Sequence, residues 1–204
     1  MKSRVRTAVM SAIALLVLAT SPSAGAQGEA SAATPPGAAP IEKLVAAVAK
    51  RTGKKFIVDP RVRADIVMVG QEPTSVDYAA LLLILRVHGF AAVEEGGYVH
   101  LIPDANVRQY PVPLATGKDS YPDAEYVNRL IPLKSISAAQ MVPVLRPLLP
   151  QVAHLVAYPC TNTLIIVDTY ANVKRIEQIA RALDGGGEPY TPPQSLCADS
   201  SAKQ

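Results

Sequence analysis

Between Tyr126 and Asp184 the apolar pattern runs strand, helix, strand, strand, helix, an order that only a few small folds can accommodate. Tyr126 to Lys134 is β-rich and half-alternating. Ser137 with Gln140 three residues on is a capping-box signature. It predicts a helix whose apolar face is Met141, Val142, Leu145, Leu148 and Leu149. Two β-branched runs follow, Val152 to Tyr158 and Thr163 to Val167. Pro159 to Asn162 between them suits a turn, so the two should pair as a hairpin. A last helix begins near Thr169, aligns Val173, Ile176, Ile179, Ala180 and Leu183, and stops at Asp184 and the glycines 185–187. This is a βαββα unit, and nothing on it looks catalytic.

A second unit precedes it. Ile41, Leu44, Val45 and Val48 share one helical face, and Gly53 sits where a left-handed terminal residue is wanted. Strands are expected at Phe56–Val58 and Ile66–Val69. Thr74 and Asp77 mark the start of a helix whose body, Leu81 to Val87, is apolar enough to require burial on most sides, and Gly89 stops it. Phe90–Glu95 and Tyr98–Pro103 flank Gly96 and Gly97, the spacing of a tight hairpin. The first domain therefore spans 41–103 and the second 126–184. A proline-spotted linker, 104–125, predicts separate cores. The fold class is α+β, built as two small α/β domains. Residues 27–40 read as a disordered tether and 185–204 as a flexible tail.

Lys2, Arg4 and Arg6 precede an apolar run from Ala8 to Ala19, and Ala24 to Ala26 offers a cleavage site before Gln27, so residues 1–26 read as a secretory leader. The run is shorter than the ~20 residues that span a bilayer. The expected mature chain is exported to the periplasm without a membrane span. Removing those three cations from the 20 Lys and Arg leaves 17 against 17 Asp and Glu, which takes support from a nucleic-acid role. Lys50, Arg51, Lys54, Lys55, Arg61 and Arg63 form a local basic stretch that reads as a solvated face. Cys160 and Cys197 leave three states open: a disulfide pinning the tail, free thiols, or an intermolecular bridge.

Catalytic, cofactor and metal sites find no support in the pattern. His88, His100 and His154 have no metal-ligand spacing and no nucleophile beside them. Asp59 and Asp168 read as turn and cap residues, and neither Gly96–Gly97 nor the glycines 185–187 have a phosphate-loop context. A KH-like nucleic-acid module needs a GXXG loop, which Pro147 to Gln151 lacks. The chain is read as a binding module, not an enzyme, with no cofactor.

Several runs carry a family likeness. In the first domain they are IVDPRVR at 57–63, IVMV at 66–69 and VHGFA at 87–91. In the second they are RLIPL at 129–133, AAQMVPVLR at 138–146, NTLIIVD at 162–168, VKRI at 173–176 and ALD at 182–184. Residues 41–184 resemble the amino-terminal periplasmic part of type II secretion system secretins, the general secretion pathway protein D family. The first domain is also similar to the short domain shared by secretins and TonB-dependent receptors. The resemblance accounts for Pro143 within a helix, where proline costs ~3 kcal/mol, because similar secretins place a proline there. It implies a component of a secretin machine whose partners are an inner-membrane platform protein, secretin subunits and exported substrates. Ile66, Val67, Met68 and Val69 are the expected partner-binding strand, since the matching region of secretins lies near the platform-docking surface. Two departures accompany it. The pore-forming β-domain does not follow Asp184, which implies no channel and a monomer or weak oligomer. The strand that opens the family's first domain has no counterpart before Ile41, which leaves a sheet edge open to strand addition. A dedicated adaptor, a split secretin and a truncated non-functional secretin copy all fit these residues.

Overall fold

The computed structural model describes residues 37–193 and Cys197. The expected leader, most of the tether and the rest of the tail lie outside the described residues.

The first domain opens with a two-residue strand, β1 (Ala39–Pro40), followed by α1 (Ile41–Thr52). Helix α1 buries Ile41, Leu44, Val45 and Val48, and ends at Gly53, whose φ of 71° lets its N–H reach the Ala49 carbonyl. Strand β2 (Lys55–Val58) runs parallel to β5 (Tyr98–Pro103), which pairs antiparallel with β4 (Phe90–Glu95) in the order β2-β5-β4. Gly96 and Gly97, at φ 60° and 81°, make the turn of the β4–β5 hairpin with both central residues left-handed. Helix α2 (Tyr78–Val87) packs behind the sheet, and the Asp77 carboxylate accepts the Ala80 N–H at 2.7 Å. Thr74 does not start this helix; it lies in a separate 3₁₀ turn, Pro73–Ser75.

Three expectations for this domain are corrected. A strand does precede α1: Ala39 and Pro40 pair antiparallel with Ile66 and Asp65 of β3 (Asp65–Ile66). The pairing needs only backbone geometry, so no β-branched run announces it. The expected strand Ile66–Val69 shrinks to β3, because Val67 to Val69 continue beyond Ala39, the first residue of β1, and pair with no strand among the described residues. Helix α2 is not buried on most sides: Leu81, Leu82 and Leu85 are, but Leu83 and Val87 are exposed.

The second domain is β6 (Tyr126–Pro132), α3 (Ala138–Leu145), β7 (His154–Tyr158), β8 (Thr163–Thr169) and α4 (Tyr170–Leu183), with the antiparallel order β6-β8-β7. The predicted βαββα order is present. Both helices cover one sheet face, closing a core of Val127, Ile131, Met141, Leu145, Leu164, Ile166, Val173 and Ile176. Pro143 sits inside α3, and the helix gives way after Leu145 to a 3₁₀ turn holding Pro147. Leu148 therefore faces solvent and not the expected apolar face.

The capping box at Ser137 is not formed, since its side chain makes no cap bond. Asn162, left-handed at φ 48° in the β7–β8 turn, does that work from across the domain. Its Oδ1 accepts the Ala138 N–H at 2.7 Å, and its Nδ2 donates to the Leu133 and Ile136 carbonyls at 3.1 and 2.9 Å. Asp184, after α4, accepts the N–H groups of Lys134, Ser135 and Ile136 at 2.6 to 2.9 Å. Burial alone would raise its pKa, but these three donors hold it below the usual carboxylate value.

The two cores are distinct, yet a third cluster joins them. Ala91, Val93 and Ile102 point from the first sheet, Val107 and Val112 from the linker, and Tyr126 and Val167 from the second sheet. The linker is also ordered: it forms a 3₁₀ segment, Asp104–Gln109, and covers the β6 edge through a Leu114–Asn128 bridge. The tail is held as well. Tyr190 N–H donates to the Lys134 carbonyl at 2.7 Å, and Cys197 is disulfide-bonded to Cys160, so the open choice among cysteine states resolves to an intramolecular bridge.

Candidate functional site

Where β3 ends, the chain stays near α2, and side-chain alternation sorts its residues. Ile66 is buried and Met68 packs against the core, whereas Val67 and Val69 point outward, 55% and 95% exposed. Beside them, Leu83 and Val87 lie four residues apart on α2, so they occupy the same helix face one turn apart. They are 49% and 81% exposed. The result is an apolar groove of about 230 Å³ lined by Ile66, Val67, Met68, Leu83, Ile84, Val87 and His88. Of the four sequence-predicted residues, three line this groove and Val69 stands beside it in sequence.

Sequence reading missed Leu83, Ile84 and Val87, although a signal was present. The body of α2 is more apolar than one buried face requires, and the surplus could have been assigned to a second face. His88 lines the groove end, while His100 lies half-buried on β5 and exposed His154 on β7, so the histidines are not brought together. Among the described residues no group of three or more His, Cys, Asp or Glu is placed to hold a metal ion. Asp59 accepts the Arg61 backbone N–H and its guanidinium, which hold its pKa near 2, a turn-locking pair. Asp168 is buried at the end of β8, accepting the Thr169 N–H and the Asn172 amide; burial raises its pKa. The two carboxylates thus serve local structure.

One further edge is open. Strand β2 pairs only with β5 among the described residues, and Ile57 and Val58 on it are partly exposed. The groove and this strand are the features of the first domain suited to receiving another protein.

The two domains coincide with two family models. Residues 37–101 match the GspD-like N0 domain, and residues 128–188 match the bacterial type II/III secretion system short domain. Over 151 residues the chain is 34% identical to secretin XcpQ of Pseudomonas aeruginosa, covering 73% of this chain and 22% of that protein. This chain carries the amino-terminal domains of type II secretins. Secretin PulD of Klebsiella pneumoniae is 28% identical, covering 72% of this chain and 23% of PulD. The chain thus spans less than a quarter of the length of these curated relatives. A Klebsiella pneumoniae type II outer-membrane complex, containing PulD, PulS and the PulC HR domain, superposes with a TM-score of 0.61 at 27% identity, covering 72% of this chain and 26% of that chain. Secretin amino-terminal domains are structural components of secretion machinery. The groove accordingly lies on the N0 domain, and no described helix is long and apolar enough to cross a membrane.

Proposed function

We propose that this chain is a periplasmic protein-docking module of a type II secretion machine, contributing to protein secretion across the outer membrane. Its first domain receives an inner-membrane platform component, with secretin subunits and exported substrates as the other partners of the machine. The observation that carries this reading is the apolar groove between Val67 and α2, on a domain that matches the GspD-like N0 model. Exposed Val67, Leu83 and Val87 have no core to enter, and a partner's apolar side chains would remove them from water. The presence of the PulC HR domain with PulD in the Klebsiella complex supports a partner of that class. Packing into the groove replaces the strand addition expected at Ile66–Val69, and the β2 edge is where backbone pairing could add to it.

The test is capture from periplasmic extract with the double variant Val67→Lys/Leu83→Lys. Both positions are exposed, so circular dichroism and thermal unfolding should be unchanged. Recovery of the platform component should fall by about tenfold or more, a loss of roughly 1.4 kcal/mol of binding free energy. Undiminished recovery by a folded variant would remove the groove from the proposal.

A further inference from the structure

Cys160 lies in the 3₁₀ turn between β7 and β8, and Cys197 in the tail; they are joined with Cα atoms 5.3 Å apart and lie 37 positions apart in sequence. The closed loop contains all of β8 and α4. Between the two cysteines the tail meets the loop before α3: the Ser135 hydroxyl donates to the Gly187 carbonyl at 3.0 Å, and Tyr190 N–H donates to the Lys134 carbonyl at 2.7 Å. That same loop between β6 and α3 is held by Asn162, two residues from Cys160, and by Asp184, three residues before Gly187. The bridge therefore closes a ring of contacts around residues 133–137.

Two hydrogen bonds at a solvated surface return less than the conformational freedom lost by ordering the tail, so the covalent link is what makes that ordering favourable. Cys160 is half-buried and Cys197 exposed, which leaves a sulfur within reach of an attacking thiolate. We propose that Cys160 and Cys197 are a modification site, the dithiol substrate of a thiol–disulfide oxidoreductase, and that its oxidation clasps the tail onto Lys134 and Ser135. One cysteine thiolate attacks the carrier's disulfide to give a mixed disulfide. The second thiolate then displaces the carrier. The chain's two thiols lose two electrons and two protons, and the carrier's disulfide takes them up to leave as a dithiol. A reduced dithiol carrier runs the exchange backwards and releases the tail. The site is independent of the groove, and its test does not depend on partner binding.

The experiment uses the full chain, prepared reduced and then treated with an oxidised thioredoxin-fold oxidoreductase or with oxidised glutathione. Maleimide labelling should show two thiols before and none after, with the oxidoreductase faster and the product monomeric on non-reducing gels. Hydrogen exchange at the Tyr190 amide and chymotryptic cleavage after Tyr190 should be at least about tenfold slower in the oxidised chain. Cys197→Ser, which leaves β7, β8 and their turn intact, should match the reduced chain in both buffers. Disulfide-linked dimers, or Tyr190 protection unchanged by reduction, would overturn the clasp. Oxidation no faster with the oxidoreductase than with glutathione would overturn its standing as an enzyme substrate.

Discussion

Asn162 shows how much one side chain can hold. Its sequence setting, after Pro159 in a run of turn formers, announced a turn, and its left-handed φ agrees. What the setting could not announce is that its amide is 4% exposed and bonded to Leu133, Ile136 and Ala138, partners 24 to 29 residues away. It acts as the N-terminal cap of α3 in place of Ser137. Asn162→Ala should cost about 2 to 4 kcal/mol, because it orphans a buried N–H and two carbonyls at a backbone angle alanine disfavours. Ser137→Ala should cost less than about 0.5 kcal/mol in the same urea titrations, its side chain capping nothing. The reverse ranking would refute this assignment.

At the scale of elements, α2 has two apolar faces with different duties. Leu81, Leu82 and Leu85 are buried against α1 and the sheet, and Leu83 and Val87 are left over for the groove. Leu85→Ala should destabilise the chain by about 2 to 5 kcal/mol, as large-to-small changes in a closed core do. Leu83→Gln and Val87→Gln should each stay within about 0.5 kcal/mol of the parent by thermal unfolding. A large loss at Leu83 or Val87 would mean that they are core and the groove is not a free surface. Strand β3 teaches a related lesson: IVMV reads as one β run, yet among the described residues Ile66 alone of the four pairs, with Ala39 of the two-residue strand β1.

Across the whole molecule the seam is the feature that binds the two domains. Val93 and Ile102 on the outer face of the first sheet meet Val107, Val112, Tyr126 and Val167, so β4 and β5 are covered on both faces. Burial at this seam pushes the Tyr126 hydroxyl well above its ordinary pKa, and raises that of Glu125 beside it. Ile102→Asp places an unpaired charge there while sparing both domain cores. Urea unfolding should then split from one cooperative transition into two, with an increased radius of gyration before the first. A single transition at an unchanged midpoint would show that the seam carries no coupling.

Periodicity and turn chemistry alone determined which stretches become the four helices and the strands β2 and β4 to β8, with bounds closest at α1, β4 and β5 and off by up to four residues at α2 and α3, because such elements depend on contacts within one element or across one hairpin. The β4–β5 hairpin around Gly96 and Gly97 and the α1 stop at Gly53 are the clearest cases. The family resemblance, and no local signal, named Ile66 to Val69, of which Ile66, Val67 and Met68 line the groove. Tertiary structure decided the rest: the β1–β3 pairing, the Asn162 cap, the α2 half of the groove, the seam, and the choice of Cys197 as partner of Cys160. Each of these joins residues far apart in the chain, and a side chain's own sequence neighbours carry no record of what folding brings against it.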